Sequence, residues 1–241
     1  MDNKVLYERY RTIAYERANP AGPEEAAWGY DQDYATLIPS DPEAKVLDIG
    51  CGMGSFLCYL RKKGFRNLMG VEVSPEQVEY CKQNVTDQVF LTDNLVQFIG
   101  QRHGYWNCIA MLDVIEHLPR QDVIPILAAI HSALSDGGVI LIQTGNMASL
   151  TGPYLRYIDF THESGFTENS MRQILRAVGF SEIKVSGNKV LVFSWRSRIF
   201  ALARKLWEFT LRLIYRLERG WDSTPEVFSK LLIAWAKKST S

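Results

Sequence analysis

The chain has 241 residues, 46% of them hydrophobic and 22% charged, enough to bury a sizeable core and too apolar to stay disordered. Lys and Arg (27) balance Asp and Glu (27), so the overall charge points to no nucleic-acid partner. No run of about 20 apolar residues is present to span a bilayer, and the start MDNKVLYERY lacks the basic-then-apolar pattern of a signal peptide.

Cys51, Cys58, Cys81 and Cys108 form neither a CxxC pair nor a zinc spacing, and three of them sit in apolar stretches. A reducing, cytoplasmic setting is expected.

Residues 1–40 are polar and aromatic, with helical pieces expected over 7–17 and 28–37 around the breaker run Asn19-Pro20-Ala21-Gly22-Pro23. From Lys45 the pattern becomes regular. Strands are expected at 45–49, 68–73, 89–91, 106–112, 139–143 and 182–186. Helices are expected at 55–63 (stopped by Gly64), from Ser74-Pro75 to about Asn84, at 121–134 and at 167–178 (closed by Gly179). Strands alternating with helices of this length make a parallel sheet with helices on both faces. Ligands in such sheets bind at the carboxyl ends of the strands.

The segment Val46-Leu47-Asp48-Ile49-Gly50-Cys51-Gly52-Met53-Gly54 is the sharpest local signal. Glycines in a strand-to-helix turn allow positive φ and close approach of a ligand. A dinucleotide site would read GxGxxG, with pyrophosphate on the helix N-terminus. Here the spacing is GxGxG, and Asp48 just ahead suits a ligand carrying an ammonium and a sulfonium rather than a pyrophosphate. Glu72, with Val73 beside it, ends the second strand, where an acid can accept hydrogen bonds from ribose hydroxyls. Asp93 and Asn94 follow the third strand, where an acceptor can meet an adenine amino group. Alone, GxGxG is equally a tight turn and a strand-ending Glu a solvated cap. Three such features after three consecutive strands favour cofactor binding.

The runs VLDIGCGMGSF, GVEVSPEQVEYCKQN, the Asp93-Asn94 turn, LDVIEHLP and LSDGGVILIQTGN resemble, in order, the successive motifs of class I S-adenosylmethionine-dependent methyltransferases over residues 45–186. The resemblance implies a doubly wound, mostly parallel seven-stranded α/β sheet of Rossmann-like type, formed as one domain over 1–241. Residues 1–40 would be a helical cap, 45–186 the cofactor core, 196–220 a helical insertion between strands six and seven, and 230–238 the last strand. It also implies S-adenosylmethionine as cofactor. Gly50, Cys51 and Gly52 would approach its methionine part, with Asp48 near the amino group, Glu72 on the ribose, Asp93 and Asn94 on the adenine, and Leu112 on the far side.

Methyl transfer is an in-line displacement, so catalysis is mostly positioning, and a hydroxyl acceptor also needs a base. Asp113 and His117 follow the fourth strand at i, i+4, expected to face the same way on a helix. His162 lies in the long segment after the fifth strand. Either histidine can instead order its own loop. Asp113, Glu116 and His117 could hold a divalent cation, but helical spacing does not set them apart from an ordinary charged turn, and no metal is expected. The segment 145–166, read as a loop without regular structure, offers Asn146, Tyr154, Arg156 and Tyr157 for an acceptor. Arg156 can equally pair with Asp159. Tyr10, Tyr30 and Tyr34 either close the site from above or pack there.

About 40 residues separate the sixth strand from the best match to a seventh, at 230–236, where a short hairpin is typical. Residues 196–219 read as one helix. Ile199, Leu202, Leu206, Trp207, Phe209, Leu213, Ile214 and Leu217 fill one arc, while Arg198, Arg204, Lys205, Arg212 and Arg216 lie on the other. Seven cations and two anions give this helix a local charge of +5. That pattern fits a helix lying on an anionic membrane surface; a partner helix or a core position is the alternative. The expected function is O-methylation of a lipid-linked or membrane-proximal acceptor, a sugar of a bacterial surface glycan, by a protein peripheral to the inner face of the cytoplasmic membrane. RYIDFTHESGFTENSMRQILRAVGF resembles methyltransferases of such pathways. A quinone-pathway O-methyltransferase and a non-catalytic scaffold of the same fold are the alternatives.

Overall fold

The computed structural model describes residues 4–10, 12–13, 29–190, 192–221 and 224–240. The described elements are, in order, α1 (Lys4–Glu8), α2 (Tyr30–Tyr34), β1 (Lys45–Ile49), α3 (Ser55–Lys62), β2 (Asn67–Glu72), α4 (Pro75–Asn84) and β3 (Val89–Leu91). They continue as α5 (Leu95–Gly100), β4 (Trp106–Leu112), a 3-10 turn (Ile115–His117), α6 (Arg120–Ala133), β5 (Leu134–Gly145), α7 (Gly152–Tyr157), α8 (Glu168–Ala177), β6 (Ser181–Gly187), α9 (Trp195–Arg219) and β7 (Leu231–Lys237). Residues 11 and 14–17 of the helix expected over 7–17, and the start of that at 28–37, lie outside the described residues.

All seven strands form one sheet in the order β3-β2-β1-β4-β5-β7-β6, parallel except for β7. Because β7 is antiparallel to both β5 and β6, β6 runs parallel to β1–β5 and leaves the sheet at its carboxyl edge. β1 and β4, in the middle of the sheet, are buried on both faces, as central parallel strands must be. Leu47, Ile49, Ile109 and Met111 join one buried layer with Ile126, Leu127 and Ile130 of α6. Their neighbours Val46, Cys108 and Ala110 join the opposite layer with Phe56, Tyr59 and Leu60 of α3.

Tyr30 and Tyr34 belong to that second layer, in edge contact with Phe56 at ring distances of 5.7 and 5.8 Å. They pack rather than cap. β5 begins at Leu134, five residues before the expected strand, because Leu134 already pairs with Trp106. The segment after β5 is not irregular throughout, since α7 lies inside it.

The inserted helix forms as expected, opened by a capping box in which Ser194 and Ser197 exchange hydrogen bonds. Its orientation carries a correction. Arg204 reaches Glu208 and the carbonyl of Asn188, Arg212 reaches the carbonyl of Glu226, and Tyr215 lies 5.3 Å from the Phe228 ring. Arg216 stacks on Trp221 at 4.2 Å. Two of the cations expected to meet lipid, Arg204 and Arg212, thus hold the helix to the body of the protein, and Arg216 turns to Trp221 just past the helix end. The opposite arc is bare: Leu202 and Leu206 are 69% and 67% exposed, and Ile199, Phe209, Leu213, Ile214, Leu217 and Trp207 are exposed with them. Arg198 and Lys205 are exposed too. No helix among the described residues is long and apolar enough to cross a membrane.

Candidate active site

The turn between β1 and α3 places Gly50, Gly52 and Gly54 at φ +67°, +55° and +88°. A side chain at Gly50 would be strained by that φ and would run into Val114. Backbone can therefore approach a ligand here as no other residue type allows. Glu72, buried at the end of β2, accepts from the Gly52 N–H at 2.9 Å with one carboxylate oxygen. The other oxygen accepts from the N–H groups of Val73 (2.9 Å) and Ser74 (3.0 Å). Burial raises its pKa, and these backbone donors pull part of the way back. The carboxylate is held rigid across the mouth of the glycine turn, with one acceptor position, on the oxygen that Gly52 holds, left for a hydroxyl.

Asp48 is buried beneath the same turn, and desolvation pushes its pKa well up, with Cys81 and Glu72 adding to the shift. A carboxyl in that position is eased by a cation placed over the glycines. These two acids and the glycine turn fit the ammonium, sulfonium and ribose of S-adenosylmethionine. Asp93 is exposed beyond β3, and Leu112 half-buried at the end of β4, on either side of the turn. Asn94 is occupied differently: its side chain accepts from the Gln97 N–H at 3.0 Å and caps α5.

Asp113 and His117 do not share a helix. Asp113 sits at φ +55°, held by its N–H to the carbonyl of Gln143 (2.9 Å) and its carboxylate to the Gln143 amide (2.8 Å). Tyr34 donates to the other end of that amide. Asp113 opens into the cleft, so the protein crowding that raises its pKa is screened by solvent there.

His117 closes the 3-10 turn, and its Nδ1 lies 2.7 Å from the Thr161 hydroxyl. That hydroxyl donates to Asp159 Oδ1 at 2.7 Å, so it must accept from the histidine. The chain His117 Nδ1–H to Thr161 to Asp159 therefore leaves Nε2 with its lone pair. Burial, aided by His162, lowers the His117 pKa to about 4, which keeps the ring neutral. Burial works against the Asp159 charge, but hydrogen bonds from Tyr10 and Thr161 outweigh it and hold this carboxyl below its usual range.

His162 packs edge-on against His117 at 4.6 Å and donates Nδ1–H to the Leu155 carbonyl at 2.9 Å. It both orders its loop and faces the candidate base. Tyr10 covers the pair: its hydroxyl donates to Asp159 at 2.6 Å and its ring meets His117 at 6.1 Å. Tyr7 meets His117 at 6.5 Å, and Thr12 reaches Glu76 on α4 at 3.2 Å. The N-terminal segment thus bridges both sides of the cleft. Thr161, Asp159, Tyr7 and Gln143 were not foreseen; only the polar Gln143 in an apolar strand carried a signal.

The expected acceptor contacts divide. Asn146 is fully buried, donating to the carbonyls of Val227 and Ser229 and accepting from the Ala148 N–H, so it is a brace and not a contact. Arg156 spends its guanidinium on the carbonyls of His162 and Glu163 rather than on Asp159. Tyr154 and Tyr157 are exposed, together with Leu150, Ile158 and Phe160. Among the described residues no group of three His, Cys, Asp or Glu is arranged to hold a metal ion.

Residues 24–185 match the family model described as a methyltransferase domain. The chain is 25% identical over 136 residues to a ubiquinone biosynthesis O-methyltransferase of Xanthomonas campestris, covering 55% of this chain and 56% of that protein. It spans little more than half the length of such relatives. A solved S-adenosylmethionine-dependent methyltransferase of Archaeoglobus fulgidus superposes with a TM-score of 0.69 at 19% identity, covering 93% of this chain and 98% of that one. Phosphoethanolamine N-methyltransferase 2 of Haemonchus contortus, solved with S-adenosyl-L-methionine, superposes at 0.65 and 15% identity, covering 100% and 60%. The sheet order, the glycine turn with its two acids and the family match agree: the chain belongs to the methyltransferase-domain family, with the class I, S-adenosylmethionine-binding fold.

Proposed function

We propose that the protein methylates a hydroxyl oxygen of a lipid-linked or membrane-proximal acceptor while lying on a membrane surface. S-Adenosylmethionine, when bound, supplies an electrophilic methyl carbon on a sulfonium. The glycine turn, Asp48 and Glu72 would hold it, with Asp93 and Leu112 flanking. His117 then accepts the acceptor's hydroxyl proton at Nε2, and Thr161 and Asp159 stabilise the imidazolium so formed through Nδ1–H. Asp113, pinned by Gln143, orients the acceptor from the other side of the cleft.

The observation that carries the membrane part is the bare apolar arc of α9. Contiguous apolar surface of this extent marks an interaction site. It leaves the sheet at the carboxyl edge, where the cleft opens, and the exposed Tyr154, Tyr157, Ile158 and Phe160 belong to the loop at that same edge. Arg198 and Lys205 flank the arc and suit anionic headgroups. A sugar of a surface glycan is the acceptor this reading favours. A quinone-pathway phenol is the second reading, supported by the ubiquinone O-methyltransferases among the relatives.

Vesicle flotation tests the membrane part. The wild type should rise with vesicles containing anionic lipid, and Leu206→Glu with Leu213→Glu, both on the exposed arc, should stay at the bottom while remaining folded. Flotation of that variant equal to wild type, or none by either, would sink the reading.

A further inference from the structure

A cavity of about 620 Å³ lies under α9 at the carboxyl edge, walled by Arg204, Arg212, Arg216 and Trp221 and floored by the segment from Val227 to Ser229. Its floor is built rather than incidental. Val227, Phe228 and Ser229 are buried, Asn146 ties the carbonyls of Val227 and Ser229, and the Glu226 N–H is held by Glu168 at 3.1 Å. Gly187 lets the end of β6 close against Ser229, where any side chain would collide.

Among the described residues, three guanidinium groups line this space against the two carboxylates Glu208 and Glu226, a formal +1. Glu208 is already taken by Arg204 at 2.8 Å. Arg212 uses one nitrogen on the Glu226 carbonyl, and the Arg216 plane rests on Trp221. The Arg216 Nε is buried with no hydrogen-bond partner among the described residues. A guanidinium has five donors in a planar fork that matches phosphate oxygens two at a time. A buried donor without an acceptor costs stability, so a site that keeps one is shaped for an absent acceptor.

We infer that this cavity binds the phosphate or diphosphate of the lipid that carries the acceptor; the inference rests on the membrane reading above. The cavity lies at the ends of β6 and β7 and Asp113 at the end of β4, three strand spacings away, about 14 Å. An acceptor with at least two sugars between its phosphate and the methylated oxygen spans that gap. A quinone-type phenol carries no phosphate and leaves the cavity unused. Arg204 and Arg212 thereby serve both to dock α9 and, with Arg216, to recognise the anchor, while the apolar arc behind them takes the chain of the lipid.

The test compares phosphatidylcholine vesicles doped with a long-chain prenyl diphosphate against vesicles doped with the matching prenol. The full chain should bind the diphosphate vesicles at least about tenfold more tightly, and inorganic pyrophosphate should compete. Arg212→Gln with Arg216→Gln should erase that preference while S-adenosylmethionine affinity, read by calorimetry, stays at the wild-type value. Equal binding of wild type to both vesicles overturns the inference, and needs no variant to fold. So does a preference that survives in the variant, or pyrophosphate binding with no vesicle preference, which would make the site one for soluble anions. If both vesicle types are bound equally well, the cavity assignment falls and the membrane reading stands; if neither is bound, the membrane reading fails with it.

Discussion

Glu72→Ala is expected to weaken S-adenosylmethionine binding about 100-fold in a calorimetric titration, a loss of about 2.7 kcal/mol. One hydroxyl hydrogen bond to a carboxylate supplies about that much, since a charge-assisted bond contributes roughly 1.5–3 kcal/mol. The change also strips acceptors from the N–H groups of Gly52, Val73 and Ser74, the last of them fully buried. The glycine turn then loses the clamp that joins it to the end of β2, and the melting temperature should fall. Removing a carboxylate whose ionisation is opposed by burial returns part of that loss. Glu72→Gln, which keeps one oxygen acceptor, should fall between wild type and Ala on both measurements. Wild-type affinity in Glu72→Ala would remove this residue from the cofactor site.

The second large effect concerns Glu116, which is buried within the 3-10 turn and has a carboxylate oxygen with no partner among the described residues. Burial, reinforced by the charge of Asp113, pushes its pKa from 4.5 up to about 8. Between those values the folded chain holds a proton that the unfolded chain has released. Stability therefore falls as pH rises through that window. His117 acts in the opposite sense: its pKa drops from 6.5 to about 4, so its contribution is complete above 6.5 and is lost as pH falls toward 4. The two slopes offset each other between about pH 4.5 and 6.5, and above it the slope from Glu116 is isolated by comparing wild type with a variant that lacks its charge. Denaturant unfolding should show the wild type losing about 2 kcal/mol between about pH 6.5 and about pH 9 through this group, at 1.36 kcal/mol per unit. Glu116→Gln, of the same shape and without a charge to form, should lack that loss. Parallel pH profiles for the two proteins would contradict the assignment.

The core of this fold is legible in the sequence because central parallel strands are continuous apolar runs, punctuated here by Gly50, Gly64 and Ser74-Pro75. Candidate cofactor residues are legible for the same reason, since topology puts strand ends at one edge. What escapes is whatever depends on distant partners. Leu112-Asp113-Val114-Ile115 reads locally as a helix start, yet Asp113 takes a left-handed turn because the Gln143 carbonyl, 30 residues on, receives its N–H. Asn146 reads as a polar loop residue facing a ligand, and its partners Val227 and Ser229 lie 81 and 83 residues away. A helical wheel tells which side chains of α9 share an arc, but Asn188 and Glu226 decide which arc meets the protein. The Thr161–Asp159 support of His117 likewise joins two loops that only the sheet brings together.

The most direct test of the account is transfer of a labelled methyl group from S-adenosylmethionine into a membrane lipid extract by the intact protein, with mass identification of the product. The account predicts label in a lipid-soluble product carrying one added O-methyl group, formed by wild type and not by Glu72→Ala. Label confined to water-soluble products, or on nitrogen or carbon, would contradict it.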